Sequence, residues 1–463
     1  MWFRADLRID DNPAFHHAMT AGPTIAIYAL NPKTWQAHHL STAKISLIVR
    51  QLFTLEKSLR KLNVPLFVIN TREFKQVPRA LQKFIAEKKV TSLYFNHEFE
   101  INERQLSRAV QQRLIPNTEI QSFNDQCAIA PGKITTATGD WYKVFTPFKR
   151  RYLADFHAQG RRLYTCPKPQ APLAENSDIR ALSQFEIAGQ WQKLWPAGEQ
   201  IAHQRLTRFA NDTIKDYARL RDFPSEPATS TLSPYLAIGA LSTRQCLEAA
   251  IAMGGLEAAS PANEGAATWV SELIWRDFYR HLIYAFPDLC KHRAFQANTE
   301  ALPWRHDTAL LDAWQQGRTG YPIVDAAMKQ LMATGWMHNR LRMITAMFLT
   351  KHLFVDWRLG EDFFMRNLVD GDLASNNGGW QWSASTGVDA APYFRIFNPA
   401  RQSERFDPDG RFIKTHLPEL QALTGKHIHN PTPAQADACG YARAIVEHQE
   451  AVAQTKAWFK AVK

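Results

Sequence analysis

Cysteine is scarce in this chain. Five occur in 463 residues, at Cys127, Cys166, Cys246, Cys290 and Cys439, an odd number with no CxxC pair. That argues against a disulfide framework or a zinc ribbon and for a reducing compartment. Long apolar runs are missing as well. None approaches the roughly 20 residues of a membrane helix, and the opening MWFRADLRIDDN has no apolar signal core. A cytoplasmic protein with no membrane partner is expected. There is no GxGxxG, P-loop, HExxH or GxSxG. Asp370-Gly371-Asp372 opens like a calcium loop, but Ala374 and Ser375 stand where an acid or amide followed by Gly belongs. Neither a Ser–His triad nor a bound metal is expected.

Acidic residues are also in deficit: 44 against 55 Lys and Arg, a net charge of +11. Clustered basic side chains neutralise phosphates and release counterions, so a polyanion partner fits this balance. Charge alone does not separate nucleic acid from an anionic membrane surface. The 45% apolar and 21% charged content is that of an ordinary globular protein, and the length suits two or three domains.

The first 125 residues alternate strand and helix patterns. Thr24–Leu30 is a continuous apolar run, as in a buried parallel strand. Ser41 caps a predicted helix in which Ile45, Ile48, Leu52, Leu55, Leu59 and Leu62 recur at three- or four-residue steps. Pro65–Ile69, Ser92–Phe95 and Ile120–Phe123 read as strands, with helices near Val77–Glu87 and Asn102–Leu114. The series predicts a doubly wound parallel sheet, an α/β domain over 1–125. Its first strand has only Met1, Trp2 and Phe3 to draw on, so either the native chain begins a few residues earlier or that strand is stunted. Residues 126–197, with PKPQAP at Pro167–Pro172, read as a long linker of limited structure. From 198 to 463 helical patterns dominate, at Ser271–Phe286, Tyr321–Ala333 and Asn339–His352, so this part is predicted all-α.

Eight of the fourteen tryptophans fall between Trp269 and Trp382. A core role is the ordinary reading for any one of them, but polar residues are interleaved. Glu272, Trp275, Arg276 and Tyr279 share one helix face, and Asn339 and Met343 share another. An acid beside aromatic rings on a buried face is costly unless it is hydrogen-bonded or neutral, which marks Glu272 as a functional candidate.

The chain resembles the photolyase/cryptochrome family, and within it the bacterial class I cyclobutane pyrimidine dimer photolyases. The resemblance is carried by WFRADLRIDDNPAF at Trp2–Phe15, YKVFTPFK at Tyr142–Lys149 and RDFP at Arg221–Pro224. It continues in ELIWRDFYRHL at Glu272–Leu282, TGYPIVDAAM at Thr319–Met328, GWMHNRLRMI at Gly335–Ile344 and DGDLASNNGGWQW at Asp370–Trp382. It implies an N-terminal α/β domain and a C-terminal helical domain holding FAD, which acts in its reduced form. A photoexcited flavin would pass one electron to a cyclobutane dimer flipped out of DNA, and the electron would return after the ring opens.

The resemblance also implies roles for individual residues. Tyr217 and the turn Thr229, Ser230, Thr231, Leu232, Ser233 would hold the flavin phosphates and ribityl chain at a helix start; some relatives have a basic residue in place of Thr231. Trp269, Arg276, Tyr279 and Trp336 would line the cofactor. Arg342 and Asp370 would pair beside the ring, Gly371 and Asp372 would lie toward the adenine and ribose, and Asn376 would face flavin N5. Glu272, kept protonated by its aromatic surroundings, would stabilise the substrate radical anion. Asn339 would contact the same bases, and Trp275, Trp382 and Met343 would pack on the dimer. Arg221, Arg340, Arg395, Gln402 and Arg405 would meet DNA. Trp380, Trp357 and Trp304 would relay electrons from the surface to an oxidised flavin. His38, Asn102, Glu103, Cys290 and Lys291 stand where relatives bind a methenyltetrahydrofolate antenna.

A cryptochrome-type blue-light receptor is the alternative; it predicts an acid or Cys in place of Asn376. A (6-4) photolyase predicts histidines in place of Asn339 and Met343. Comparing repair of single- and double-stranded DNA separates the single-strand-preferring cryptochromes, and a plain basic nucleic-acid-binding module would carry no flavin. The resemblance favours a monomer acting on dimer-containing DNA.

Overall fold

A computed structural model describes the chain except residues 116, 160–162, 186–188, 257–262 and 463. It divides into two compact units, each drawn from separated stretches. Met1–Lys215, Ser230–Cys290 and Val369–Ala374 form the first; Asp216–Thr229, Lys291–Leu368 and Ser375–Lys463 form the second.

The first unit is built on five parallel strands: β1 (Trp2–Phe3), β2 (Ala26–Leu30), β3 (Leu66–Asn70), β4 (Ser92–Asn96) and β5 (Glu119–Phe123). Their order is β3-β2-β1-β4-β5, so the chain winds outward from β1 in both directions, as the alternating pattern predicted. All five residues of β2 are buried, which is why its sequence is an unbroken apolar run. The central strand β1 is indeed stunted. It pairs Trp2 with Ile27 and Phe3 with Tyr28, and then the Arg4 N–H turns to the Asp6 carboxylate (2.6 Å), which ends the ladder. The Thr42–Lys61 helix starts where expected: Ser41 Oγ accepts from the Lys44 N–H at 3.0 Å.

Residues 126–197 do not form the loosely structured linker that their composition predicts. Phe145–Gln159 is a 15-residue helix. Phe145, Phe148, Tyr152 and Phe156 recur at helical spacing and are all buried, and Tyr152 donates to Asp277 Oδ2 at 2.8 Å. Pro147 and the basic run at Lys149–Arg151 hid this periodicity. Further along, the Val68 N–H donates to Asp178 O and the Asp178 N–H to Leu66 O, which fastens this connection along β3.

Among its described residues the second unit contains helices and no strand longer than a single bridge. Its core joins Trp304, Trp314, Trp357 and Trp380 with Phe348, Phe354, Phe364 and Phe459. The TGYPIVDAAM segment is a structural clamp. The buried Asp325 accepts from the Thr319 N–H (2.8 Å), Thr319 Oγ1 (2.6 Å), the Gly320 N–H (3.0 Å) and the Tyr441 hydroxyl. Gly320 has φ 77° and lies against the backbone of Arg443 and Ala444, where a Cβ would clash. The predicted Asn339–His352 helix is α-helical to Met347 and continues as a π turn at Phe348–His352.

Candidate functional site

In the first unit the short stretch Val369–Ala374 is gripped by three partners. Ser233 Oγ donates to Asp370 Oδ2 (2.6 Å), Lys44 Nζ donates to Gly371 O (2.5 Å), and Arg280 forms an ion pair with Asp372. Burial works against the charge of Arg280, but Asp372 together with Cys127, Glu100 and Asp277 outweighs it and raises the guanidinium's pKa. Burial lowers the pKa of Lys44, opposed by Asp372 and Glu100. Arg280 Nε and Nη1 are buried with no protein acceptor, so this pocket of cations and hydroxyls has donors to spare for an anionic group.

The turn at Ser230–Ser233 differs from expectation in one respect. The helix that follows, Ser233–Ala237, is only five residues long. Such a short helix contributes little axial dipole. Thr231 sits at φ 50°, and Arg205 Nη1 donates to its Oγ1 at 3.0 Å. A basic group is thus present at this turn, supplied from the Glu199–Arg208 helix 26 residues upstream. Leu232 is buried.

The Glu264–Ala285 helix starts seven residues before the predicted Ser271. It carries Trp269, buried against Phe209 with ring centroids 4.8 Å apart. The Glu272, Trp275, Arg276 and Tyr279 face is half-buried, not buried as its aromatic content suggested. Its buried counterpart is the Leu273, Ile274, Asp277, Phe278 and His281 side. Lys149, which donates to Ser271 at 2.6 Å, is a neighbouring cation of Glu272. Trp275 lies flat on Phe145, with centroids 3.7 Å apart and planes 8° apart, so one of its faces is already covered. Tyr279 tilts against it at 5.5 Å. Arg276 spends its donors on Gln126 O (2.7 Å), Thr243 Oγ1 (2.8 Å) and Leu236 O (3.3 Å), and so braces the surrounding backbone.

The residues expected at an antenna are largely together in this unit. His38 Nε2 lies 3.0 Å from Asn102 Nδ2, and His38 Nδ1 lies 3.5 Å from Glu103 Oε1. Burial, with Glu100 and Glu98 nearby, pushes the Glu103 carboxyl well above its usual range, while burial lowers His38. Burial pushes the Cys290 thiol, which senses Glu100 and Glu103, to about 12. Lys291 is exposed and belongs to the second unit.

In the second unit, Asn339 and Met343 meet on one helix face, Nδ2 to Sδ at 4.0 Å. Arg340 is paired with Asp222 Oδ2 (2.6 Å) and lies over the Phe406 ring at 4.5 Å. Arg405 covers the same ring at 5.1 Å, and Arg221 Nε lies 3.7 Å from Asp222 Oδ1. Three of the expected DNA contacts are therefore one cationic patch around Asp222 and Phe406. Gln402 is half-buried in the same Pro399–Phe406 helix as Arg405, and Arg395 is exposed. Tyr217 is buried beneath Arg221, 5.4 Å from its guanidinium. Thr229 is half-buried. Arg342 Nε donates to Met337 O (2.8 Å), and Trp336 sits edge-on to His338 at 6.3 Å.

Asn376 Nδ2 donates to Glu361 O at 2.9 Å, which fixes the amide and leaves Oδ1 as an acceptor. Trp380 and Trp357 are fully buried, Trp304 is 9% exposed, and Trp382 is half-buried. Lys44, Arg205, Arg280, Lys149 and Asp222 were not singled out in the sequence. Arg280, Lys149 and Asp222 stood there only as members of the ELIWRDFYRHL, YKVFTPFK and RDFP motifs.

An open α/β sheet, a hydroxyl-rich turn backed by buried cations and a tryptophan-rich helical core are the parts that the resemblance to the photolyase/cryptochrome class implies. Residues 1–172 match the family described as DNA photolyase, and residues 269–461 match the FAD binding domain of DNA photolyase. The chain is 43% identical to the deoxyribodipyrimidine photo-lyase of Escherichia coli, covering 100% of this chain and 98% of that protein. It is 42% identical to the one of Vibrio cholerae, covering 100% and 99%. Among solved structures it resembles a bacterial class III photolyase from Agrobacterium tumefaciens (TM-score 0.86, 33% identity, 100% and 96% covered). It also resembles an archaeal photolyase from Sulfolobus tokodaii with two FAD molecules (TM-score 0.80, 30% identity, 99% of each chain covered). The chain belongs to the DNA photolyase family.

Proposed function

We infer that this chain is a deoxyribodipyrimidine photo-lyase, which uses light and reduced FAD to split cyclobutane pyrimidine dimers in DNA. The observation that carries this is end-to-end likeness to proteins of that name, with Asn339 and Met343 on one helix face beside a cationic patch.

The donor set suits the cofactor. The hydroxyls at Thr229–Thr231 and Ser233, with Arg205 and Lys44, would hold the diphosphate, and the amide of Asn376 presents an acceptor to the N–H of a reduced ring. Tyr217, Trp269, Tyr279, Trp336, Arg342 and Asp370–Asp372 would complete the cofactor contacts. When bound, the flavin supplies the excited electron. Arg221, Arg340 and Arg405, with Arg395 and Gln402, neutralise phosphates around an extruded dimer, whose poor stacking makes it the least costly step to flip. Glu272 and Asn339 hydrogen-bond the dimer's bases. The open side of Trp275, with Trp382 and Met343, packs on it, Trp275 being held flat by Phe145. Trp380, Trp357 and Trp304 carry electrons inward to an oxidised flavin.

A methenyltetrahydrofolate antenna is the further reading of His38, Asn102, Glu103, Cys290 and Lys291; the gathering of the first four supports it. In this reading 1–125 is the antenna domain, 126–197 the connection and 198–463 the FAD and DNA domain of a monomer. No helix among the described residues is long and apolar enough to cross a membrane. All five cysteines are free thiols, which supports a cytoplasmic site of action.

The test is an absorption spectrum of the purified protein together with binding to dimer-containing and undamaged duplexes. FAD bands and preference for the damaged duplex are expected; no flavin, or equal binding, overturns the proposal. Two variants follow from the geometry. Arg340→Ala should weaken binding to every duplex and lower the salt slope by about one unit if this guanidinium meets a phosphate; an unchanged slope in a salt titration removes it from the contact surface. Arg205→Ala should raise the fraction of protein purified without FAD, read from the ratio of flavin to protein absorbance, and Arg205→Lys should restore most of it. A full complement of FAD in the Ala variant would show that the Thr231 turn needs no cation.

A further inference from the structure

We infer that Trp458 is the outer end of the tryptophan relay, the point at which electrons enter from solution. This rests on the relay reading above and extends it by one residue.

Trp304 is poorly placed to be the terminus. It is 9% exposed, and its Nε1 is buried with no acceptor. An oxidised indole becomes a strong acid at Nε1 and is trapped as a neutral radical once that proton reaches water. At Trp304 the proton has nowhere to go, so the positive charge stays mobile.

What covers Trp304 is the ring of Phe354, with centroids 4.8 Å apart, and on Phe354 in turn lies Trp458, at 4.1 Å. Both indoles thus contact the same benzene ring. Phenylalanine is too hard to oxidise to carry the charge itself, but an electron tunnels readily across one ring in van der Waals contact. The backbone is strained to put that ring there. Phe354 has φ 52°, a left-handed conformation that L-residues with bulky side chains rarely adopt. It is pinned by the Arg305 N–H, which donates to Phe354 O at 2.8 Å.

Trp458 has what Trp304 lacks. It is half-buried on the His448–Ala461 helix, between exposed Lys456 and Ala457 on one side and buried Phe459 on the other. Arg305 holds its guanidinium 5.3 Å from the Trp458 ring. A cation there disfavours a radical cation and favours loss of the indole proton, which is the trapping step. In the transfer, Trp458 gives one electron to oxidised Trp304, which returns to its closed-shell form, and the Nε1 proton of Trp458 passes to water. A thiolate in solution then supplies one electron and becomes a thiyl radical, water returns the proton to the indole, and the thiyl radicals of two turnovers combine as a disulfide.

The experiment uses the FAD-loaded protein with oxidised flavin, illuminated with dithiothreitol. Transient absorption follows the tryptophan radical, and peptide mass spectrometry follows light-dependent oxidation at each tryptophan. Parent protein should show a long-lived neutral radical and oxidation centred on Trp458. Trp458→Phe should lose the long-lived radical and photoreduce several-fold more slowly, and Trp458→Tyr, which keeps an oxidisable ring, should recover much of the rate. Bound FAD and thermal midpoint serve as folding controls, and the mass-spectrometric readout on parent protein stands whether or not a variant folds. Trp304→Phe should abolish both signals. If Trp304→Phe abolishes photoreduction while Trp458→Phe matches the parent and Trp458 stays unoxidised, this inference fails and the relay stands. If Trp304→Phe changes nothing, the relay reading itself fails.

Discussion

Replacing Asp125 by Ala should destabilise the first unit by about 3–5 kcal/mol, the usual effect of stripping one partner from a buried ion network. Asp125 is 3% exposed and lies between two guanidiniums. Arg8, 1% exposed, reaches both of its oxygens, and Arg244 donates to Oδ1 at 2.7 Å. Arg244 also binds Asp11, through Nε to Oδ2 at 3.0 Å. Removing Asp125 takes from Arg8 its carboxylate hydrogen bonds and leaves Arg244 with the Asp11 carboxylate alone, among buried side chains. Asp125→Asn should cost nearly as much, because it keeps the shape and loses the charge. Burial alone would raise the Asp125 carboxyl, but Arg8 and Arg244 outweigh it and hold it below its usual range. Its folded pKa is thus depressed, so its contribution is complete above the unfolded carboxylate pKa of about 4 and is lost as pH falls through the folded value. Urea unfolding near neutral pH checks the main claim. An Asp125→Ala protein with the parent's midpoint and slope would mean that the guanidiniums are satisfied some other way.

Gly360→Ala should both destabilise the second unit and slow its photochemistry. A Cβ at Gly360 would fall inside the ring of Trp380 and 2.7 Å from Leu349 Cδ2. Trp380 cannot yield easily: it is 2% exposed, with Phe364 at 5.0 Å and Trp314 at 5.9 Å. Overpacking of this kind typically costs about 1–3 kcal/mol. The functional loss should be larger than the stability loss, because the indole that moves is the innermost member of the proposed relay. Photoreduction of oxidised flavin should fall sharply in Gly360→Ala, with bound FAD as the control. A variant with the parent's rate and midpoint would show that Trp380 has room to shift, or that its position does not matter to electron supply.

Much of the first unit's sheet was legible in the sequence, because buried parallel strands announce themselves as short apolar runs between helical repeats. β2 to β5 were found within a residue or two. The Phe145–Gln159 helix was not, since a proline and three consecutive basic residues broke the pattern that its four buried aromatics make. Asn339 and Asn376 were proposed as lesion and cofactor residues through motifs, whereas Glu272 was first marked as an acid among aromatic rings on one helix face. Their surroundings were not legible at all. The half-open face around Glu272, the Phe145 ring beneath Trp275 and the Arg205 bond to Thr231 are tertiary facts between residues far apart in sequence. The WFRADLRIDDN and TGYPIVDAAM motifs, which point to the family, are largely structural: they supply Asp6, Arg8, Asp11 and Asp325 to buried polar networks.

The most direct test of the central claim is a repair assay. Protein with chemically reduced FAD is mixed with a duplex carrying one thymine cyclobutane dimer, and intact thymines are counted after blue light and after darkness. The account predicts dimer loss in the light and none in the dark, with Glu272→Ala lowering the repair yield more than it lowers DNA binding. Dimers that survive illumination with the flavin reduced and the DNA bound would contradict it.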